Sequence, residues 1–181
     1  MTKSTAGIVY KELLKGKTVA LVMEHELRGV TPEMLDWWWD NIDNESYKKW
    51  HPEEHHTFEW QIPASKVGHV GAIHMACEGI GNMPAHILRI RWEDKSAAPF
   101  SPTYGHLNVG SPLGPGPEDN PMGCVVHEYE ATSYGTRMRS TFTLSALVPQ
   151  VFLDELRKHN IAEMGHLPEF LPQLYKQKTG K

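Results

Sequence analysis

The segment VPQVFLDELRKHNIAEMGHLPEFLPQLYKQ near the C-terminus constrains the fold more than any other part of this chain. Pro149 is placed to start a helix, and the apolar residues that follow recur with helical period. Phe152, Leu156, His159 and Glu163 stand at i, i+4, i+7 and i+11, which is one continuous stripe. A helix of this length must lay that stripe against a large surface, yet the stripe turns from apolar to ionisable part-way along. An inward carboxylate is strongly unfavourable unless it is paired or metal-bound, so Glu163 needs a cation. A break or bend is expected near Gly165 and Pro168.

The rest of the chain supplies strands. TVALVMEHEL, residues 18 to 27, alternates closely enough to read as a strand. Thr31 and Pro32 are a good helix start, carrying Met34, Leu35 and the triplet Trp37, Trp38, Trp39 to about Asn44. Three consecutive Trp residues cover nearly the whole circumference of a helix, so at least one should point away from the core, to a cavity mouth or a homodimer interface. VGHVGAIHMACE, residues 67 to 78, reads as a strand with Val70, Ala72, His74, Ala76 and Glu78 on one face, and HILRIRW returns beside it as a hairpin. CVVHEYEAT and TRMRSTFTLSAL, separated by SYG, form a second hairpin. Between the hairpins, residues 96 to 123 are rich in Pro, Gly and Ser and read as a long binding loop, with strand character around His106 to Val109. The expectation is one α+β domain spanning residues 1 to 181.

Candidate ligands lie on three elements. His159 and Glu163 leave the same side of their helix, which suits two ligands to one ion and equally suits a hydrogen-bonded pair. In WHPEEHH, His51 can cap a short helix with Pro52 at its first position, placing His55 one turn on and facing inward; a polar surface turn is the alternative. Glu78 is an acid on a strand face otherwise made of small residues, with His74 two positions earlier. His55, Glu78, His159 and Glu163 make a mixed imidazole and carboxylate set without thiolate, which suits a catalytic ion better than a structural one. Zinc is the leading choice, and Fe(II) or Mn(II) suits the same donors.

Composition narrows the partners. Eleven histidines exceed ordinary usage and agree with a metal site, while a net charge of -4 gives no electrostatic reason to bind nucleic acid. Cys77 and Cys124 are too few for a disulfide framework and too far apart for a zinc knuckle. The apolar run Val19 to Met23 is too brief for a signal segment or a membrane span, so a cytoplasmic location without membrane association is expected.

The ordered motifs MLDWWWDNIDNESYKKWHPEEH, CEGIG, VVHEYE with GTRMRSTF, and HNIAEMGHLPEFLPQLY resemble the diacetylphloroglucinol hydrolase and phloretin hydrolase family, over roughly residues 18 to 176. That resemblance implies a helix-grip fold like those of Bet v 1-like pollen allergens and START-type proteins, a curved antiparallel sheet wrapped around a long C-terminal helix over a cavity. It implies a zinc ion on two His and two Glu, which here are His55, Glu78, His159 and Glu163. It also implies that Tyr47 binds a substrate hydroxyl and that His127 is a pocket histidine; His74 and Tyr129 are further pocket candidates. The implied reaction is hydrolysis of the carbon–carbon bond between an acyl group and a phloroglucinol-like ring, on a small aromatic ketone. Two rivals use the same scaffold: a non-catalytic carrier for aromatic or polyketide-like ligands, and a metal-dependent lyase or cyclase.

Overall fold

The alternation in TVALVMEHEL becomes β1 (Thr18–Arg28), whose Leu21, Met23 and Leu27 are buried. The computed structural model describes residues 16–115 and 118–181. Among these, β1 joins β2 (His55–Ile62), β3 (Ile73–Glu78), β4 (His86–Trp92), β5 (His106–Pro112), β6 (Cys124–Thr132) and β7 (Gly135–Ser145) in one antiparallel sheet of order β1-β7-β6-β5-β4-β3-β2. Two short helices, α1 (Pro32–Asn41) and α2 (Asn44–Trp50), carry the chain from one edge strand, β1, to the other, β2, and α3 (Ala64–Val67) joins β2 to β3. The long helix α4 (Gln150–Thr179) packs against β1, α1 and α2. This is the helix-grip arrangement, and no helix among the described residues is long and apolar enough to cross a membrane.

The helical connection between β1 and β2 is broken by a cap. Thr31 caps α1 as expected, its Oγ1 accepting the Met34 N–H at 3.4 Å. The helix stops at Asn41, and Asp43 starts α2 through a reciprocal capping box with Ser46, at 2.8 and 3.0 Å. His51 ends α2 and does not begin a new helix. One backbone bond, His55 N–H to His51 carbonyl at 2.9 Å, closes a single turn before His55 enters β2. Pairing of β2 with β3 takes over there, because so few residues cannot sustain a helix of their own. The inward position of His55 survives this correction, since the residue is buried.

Several boundaries also shift. HHTFEWQI, to which the sequence reading assigns no element, forms β2; it is an edge strand whose outward polar residues obscure its alternation. The next strand begins at Ile73 and not at Val67, because Gly68 and Gly71 adopt φ of +82° and +93° and turn the chain before it. The β3/β4 and β6/β7 hairpins form as expected. The presumed loop over residues 96 to 123 is interrupted by β5, which pairs with both β4 and β6 and so completes the sheet.

α4 runs unbroken past Gly165 and Pro168, contrary to the expected break. Pro168 removes one backbone hydrogen bond, but Met164, Leu167 and Leu171 on the same turns are fully buried and hold the helix to the core. Of the Trp triplet, Trp39 lines the cavity, one of the two directions expected, and Trp37 stays partly exposed. Trp38 and Trp39 are buried, packed with Trp50 in edge-on or tilted contacts of 4.8–5.8 Å, and half-buried Trp37 lies edge-on to Tyr175 of α4. Trp38, Trp39 and Trp50 belong to the large apolar core cluster, which also holds Tyr47, Phe58 and Trp92. A smaller, aliphatic cluster contains Leu21, Met23, Ile80 and Leu156.

Candidate metal centre and cavity

Residues of both clusters line a cavity of about 540 Å³, a size typical of small-molecule sites. Most of its lining is apolar, including Trp39, Phe142, Leu144, Phe152 and Leu156. Its polar lining includes Tyr47, His74, Glu78, His127, His159 and Glu163. Six of the eight residues proposed from sequence therefore line it; His55 and Tyr129 do not, although His55 touches the lining residue Glu163.

The four candidate ligands come from three elements. His55 opens β2 and is paired with Glu78 at the end of β3, while α4 delivers His159 and Glu163 on successive turns. Glu163 Oε1 lies 3.2 Å from both His55 Nε2 and His159 Nε2, and the two Nε2 atoms are 3.4 Å apart. Glu78 stands at the rim, its Oε2 3.7 Å from His55 Nε2. His55, His159 and Glu163 form a buried group compact enough to hold a metal ion.

The outer hydrogen bonds decide which imidazole nitrogens face the centre. His55 Nδ1 lies 2.9 Å from the Tyr47 carbonyl oxygen, which can only accept, so Nδ1 carries a proton and Nε2 is the free donor atom. His159 Nδ1 donates to the Glu54 carboxylate at 2.5 Å, which leaves its Nε2 on Glu163. Asn160 donates to Glu163 Oε2 at 3.1 Å, and its own oxygen lies 3.1 Å from His25 Nε2 on β1. Each inward group is thus oriented by a second residue, the pattern found around metal-binding histidines.

Electrostatics agree with a centre short of positive charge. Burial opposes ionisation of both partners, but the His159 charge and the hydrogen bond from His159 hold Glu163 well below the ordinary carboxylate range. Burial likewise works against the His159 cation, yet the Glu163 carboxylate prevails and pushes its pKa up to about 10. Metal-free, the centre stores a proton where a cation fits. Two nearly buried imidazoles and two carboxylates without sulfur are donors that a divalent first-row ion accepts.

Tyr47, His74 and His127 are neutral. Burial pushes His127 down to about 4 and His74 down to about 3. His127 Nδ1 lies 2.9 Å from Ser140 Oγ, and its ring stacks on Trp39 with an interplanar angle of 4°. Tyr47 donates its hydroxyl to Glu78 Oε2 at 2.5 Å, and burial followed by the Glu78 charge raises its pKa well above the ordinary value. His74 is enclosed by Phe58, Trp60 and Trp92, with Nδ1 unpartnered. Tyr129 is placed elsewhere: two residues beyond His127 on β6, it donates to Asp36 of α1 and does not line the cavity.

Glu54 and Asn160, which orient two candidate ligands, are absent from the sequence reading. Both lie inside the motifs that flagged the ligands, HPEEH and HNIAE, and adjacency was the only available signal.

No curated protein shows a significant sequence match to this chain. Similar folds occur in the crystal structure of Ara h 8.0201 (TM-score 0.59, 11% identity, covering 86% of this chain and 99% of that one). The solution structure of KanY is comparable (TM-score 0.59, 8% identity, covering 85% and 97%). So is protein NE0264 from Nitrosomonas europaea (TM-score 0.55, 15% identity, covering 90% and 97%). At these identities the likeness is one of fold, and it agrees with a curved sheet gripping α4. A family model described as the DAPG hydrolase PhiG domain matches residues 3–154, which include β1 to β7 with His55, Glu78, Tyr47 and His127. His159 and Glu163 lie beyond the matched segment, on the helix that the fold lays across the same cavity. With that match over most of its length, the chain belongs to the DAPG hydrolase PhiG domain family.

Proposed function

We propose that this chain is a metal-dependent hydrolase that cleaves the carbon–carbon bond between an acyl group and a phloroglucinol-like phenolic ring. The observation that carries this reading is the convergence of two imidazoles and two carboxylates, each oriented by an outer hydrogen bond or strand pairing, on one wall of an apolar cavity. His55, Glu78, His159 and Glu163 would hold the ion, zinc by preference. When bound, it supplies Lewis-acid polarisation of the acyl carbonyl and lowers the pKa of water.

The reaction adds the oxygen of water to the acyl carbon. The electron pair of the breaking bond passes to the ring carbon, which takes up a proton, and the products are a carboxylic acid and a phenol. Tyr47 and His127 serve the ring. Tyr47, protonated at any working pH, presents an oxygen to accept from a phenolic hydroxyl and a proton to share. His127 is neutral and held flat against Trp39, with Nδ1 engaged by Ser140, so Nε2 is left to orient a hydroxyl or move the ring proton. His74 closes the inner wall among aromatic rings. The apolar lining keeps bulk water from the reacting carbons.

A carrier would use the same cavity, but it gives no reason to bury His159 and Glu163 against each other beside it. Elemental analysis of the purified chain, followed by assay on a series of acylphloroglucinols, tests the proposal. One bound divalent ion per chain and release of the matching carboxylic acid support it. Full activity in metal-stripped protein, or ligand binding without turnover in metal-loaded protein, overturns it.

A further inference from the structure

The turn between α2 and β2 contains a residue outside the ligand set, Glu54, that ties α4 to the β3–β4 turn. Glu54 Oε2 accepts the His159 Nδ1 proton at 2.5 Å, and Oε1 accepts the Gly81 N–H at 2.9 Å. Its backbone carbonyl accepts the Gly79 N–H at 2.9 Å, immediately after Glu78, and its peptide leads directly into His55. Glu54 therefore touches or adjoins the segments that carry three of the four candidate ligands. The β3–β4 turn it holds is also pressed against α4: Gly81 has φ of +58°, and a Cβ there would overlap the Glu155 carboxylate. Three elements meet at this one carboxylate.

We propose that Glu54 is the positioning residue of the centre, fixing the ring of His159 and the end of β3 that bears Glu78, and so setting the spacing at which a divalent cation is accepted. The inference rests on the metal-dependent reading above. A carboxylate on Nδ1–H locks the rotation of an imidazole and makes its Nε2 a better donor. His51 supports the same contact. Its Nδ1 accepts the Glu54 backbone N–H at 3.2 Å, and its ring stacks on His159 at 4.8 Å. His51, Glu54 and His159 lie close enough together to hold a cation themselves. That role would compete for His159 Nδ1, which the 2.5 Å bond to Glu54 already occupies.

The test compares the full-length wild type with Glu54→Gln and Glu54→Asp. Zinc content, zinc affinity by chelator competition, and unfolding of the metal-free proteins are measured. The wild type is expected to bind one zinc, and Glu54→Gln to bind it about 10- to 100-fold more weakly, the usual effect of losing such a partner. Glu54→Asp keeps the charge but withdraws it by one methylene, so it weakens binding too, and it decides the matter if the Gln variant does not fold. A purely structural role would lower stability in the unfolding assay while leaving the zinc affinity of the folded protein unchanged. Wild-type affinity in the folded variants overturns the inference alone, as does a second zinc that disappears with Glu54. A wild type that takes up no zinc overturns the metal reading, and this inference with it.

Discussion

His55 and His159, 104 residues apart in the chain, bring their Nε2 atoms to 3.4 Å, and a single oxygen of Glu163 lies 3.2 Å from each. Two ring nitrogens facing each other at that distance repel unless a proton or a cation stands between them and a carboxylate. In the metal-free chain His159 keeps that proton; a bound divalent ion would replace it.

Glu163→Gln is expected to destabilise the metal-free protein by about 3–5 kcal/mol, the scale for removing one partner of a buried ion pair. The buried position of Glu163 and its contacts to two imidazoles are the reason. Denaturant unfolding measures it. A loss under about 1 kcal/mol, typical of an exposed pair, would mean that the carboxylate is not paired as described.

Tyr47→Phe removes the hydroxyl that donates to Glu78 while leaving the ring stacked on His55 at 3.9 Å. The variant should fold normally and lose about 10²-fold or more in kcat on an acylphloroglucinol, the scale of a positioned proton donor or acceptor. Steady-state kinetics beside a circular dichroism spectrum checks this. An unchanged kcat would remove Tyr47 from the reaction.

Acid stability should depend on His74, whose pKa burial lowers from 6.5 to about 3. The unfolded chain takes up this proton below its ordinary pKa and the folded chain does not, so the contribution is complete above 6.5 and is lost as pH falls towards about 3. Integrated over that window, it amounts to at most about 5 kcal/mol. His74→Phe keeps the aromatic packing and removes the titration, so its unfolding free energy in chelator should fall less steeply from neutrality to about pH 4. Parallel slopes for the two proteins would refute the assignment.

Adjacent tryptophans should differ sharply. Trp38→Ala, in a fully buried ring packed on Trp39, Trp50 and Phe170, should cost about 3–5 kcal/mol. Trp37→Ala loses one edge-on contact with Tyr175 from a half-buried position, and about 1 kcal/mol is expected, near the mean for point substitutions. Equal losses in thermal or denaturant unfolding would contradict the packing.

Local patterns in the sequence were sufficient for whatever depends on near neighbours. The Thr31–Pro32 helix start, the β3/β4 and β6/β7 hairpins and the inward stripe of α4 follow from capping, turn chemistry and period, which act over a few residues. Where a distant partner decides, those patterns fell short. The edge strand β2 exists because β3 pairs with it, β5 runs past the expected His106 to Val109 as far as Pro112 because β4 pairs with its last residues, and α4 passes Pro168 intact because the core holds its apolar turns.

For the centre the division is similar. The sequence by itself determined that Glu163 and His159 share one buried helix face, because side-chain direction in a helix follows from spacing alone. Only the tertiary structure decided that His55 closes on them at hydrogen-bond distance, that Glu78 stands at the rim, and that Tyr129 belongs to Asp36 and not to the cavity. It alone could bring in Glu54, whose carboxylate lies in an exposed-looking turn motif until α4 arrives 105 residues later and presents His159 Nδ1 to it. Distances between residues so far apart in the chain are set by the register of the sheet and the line of the helix across it, and neither is encoded in any one local stretch.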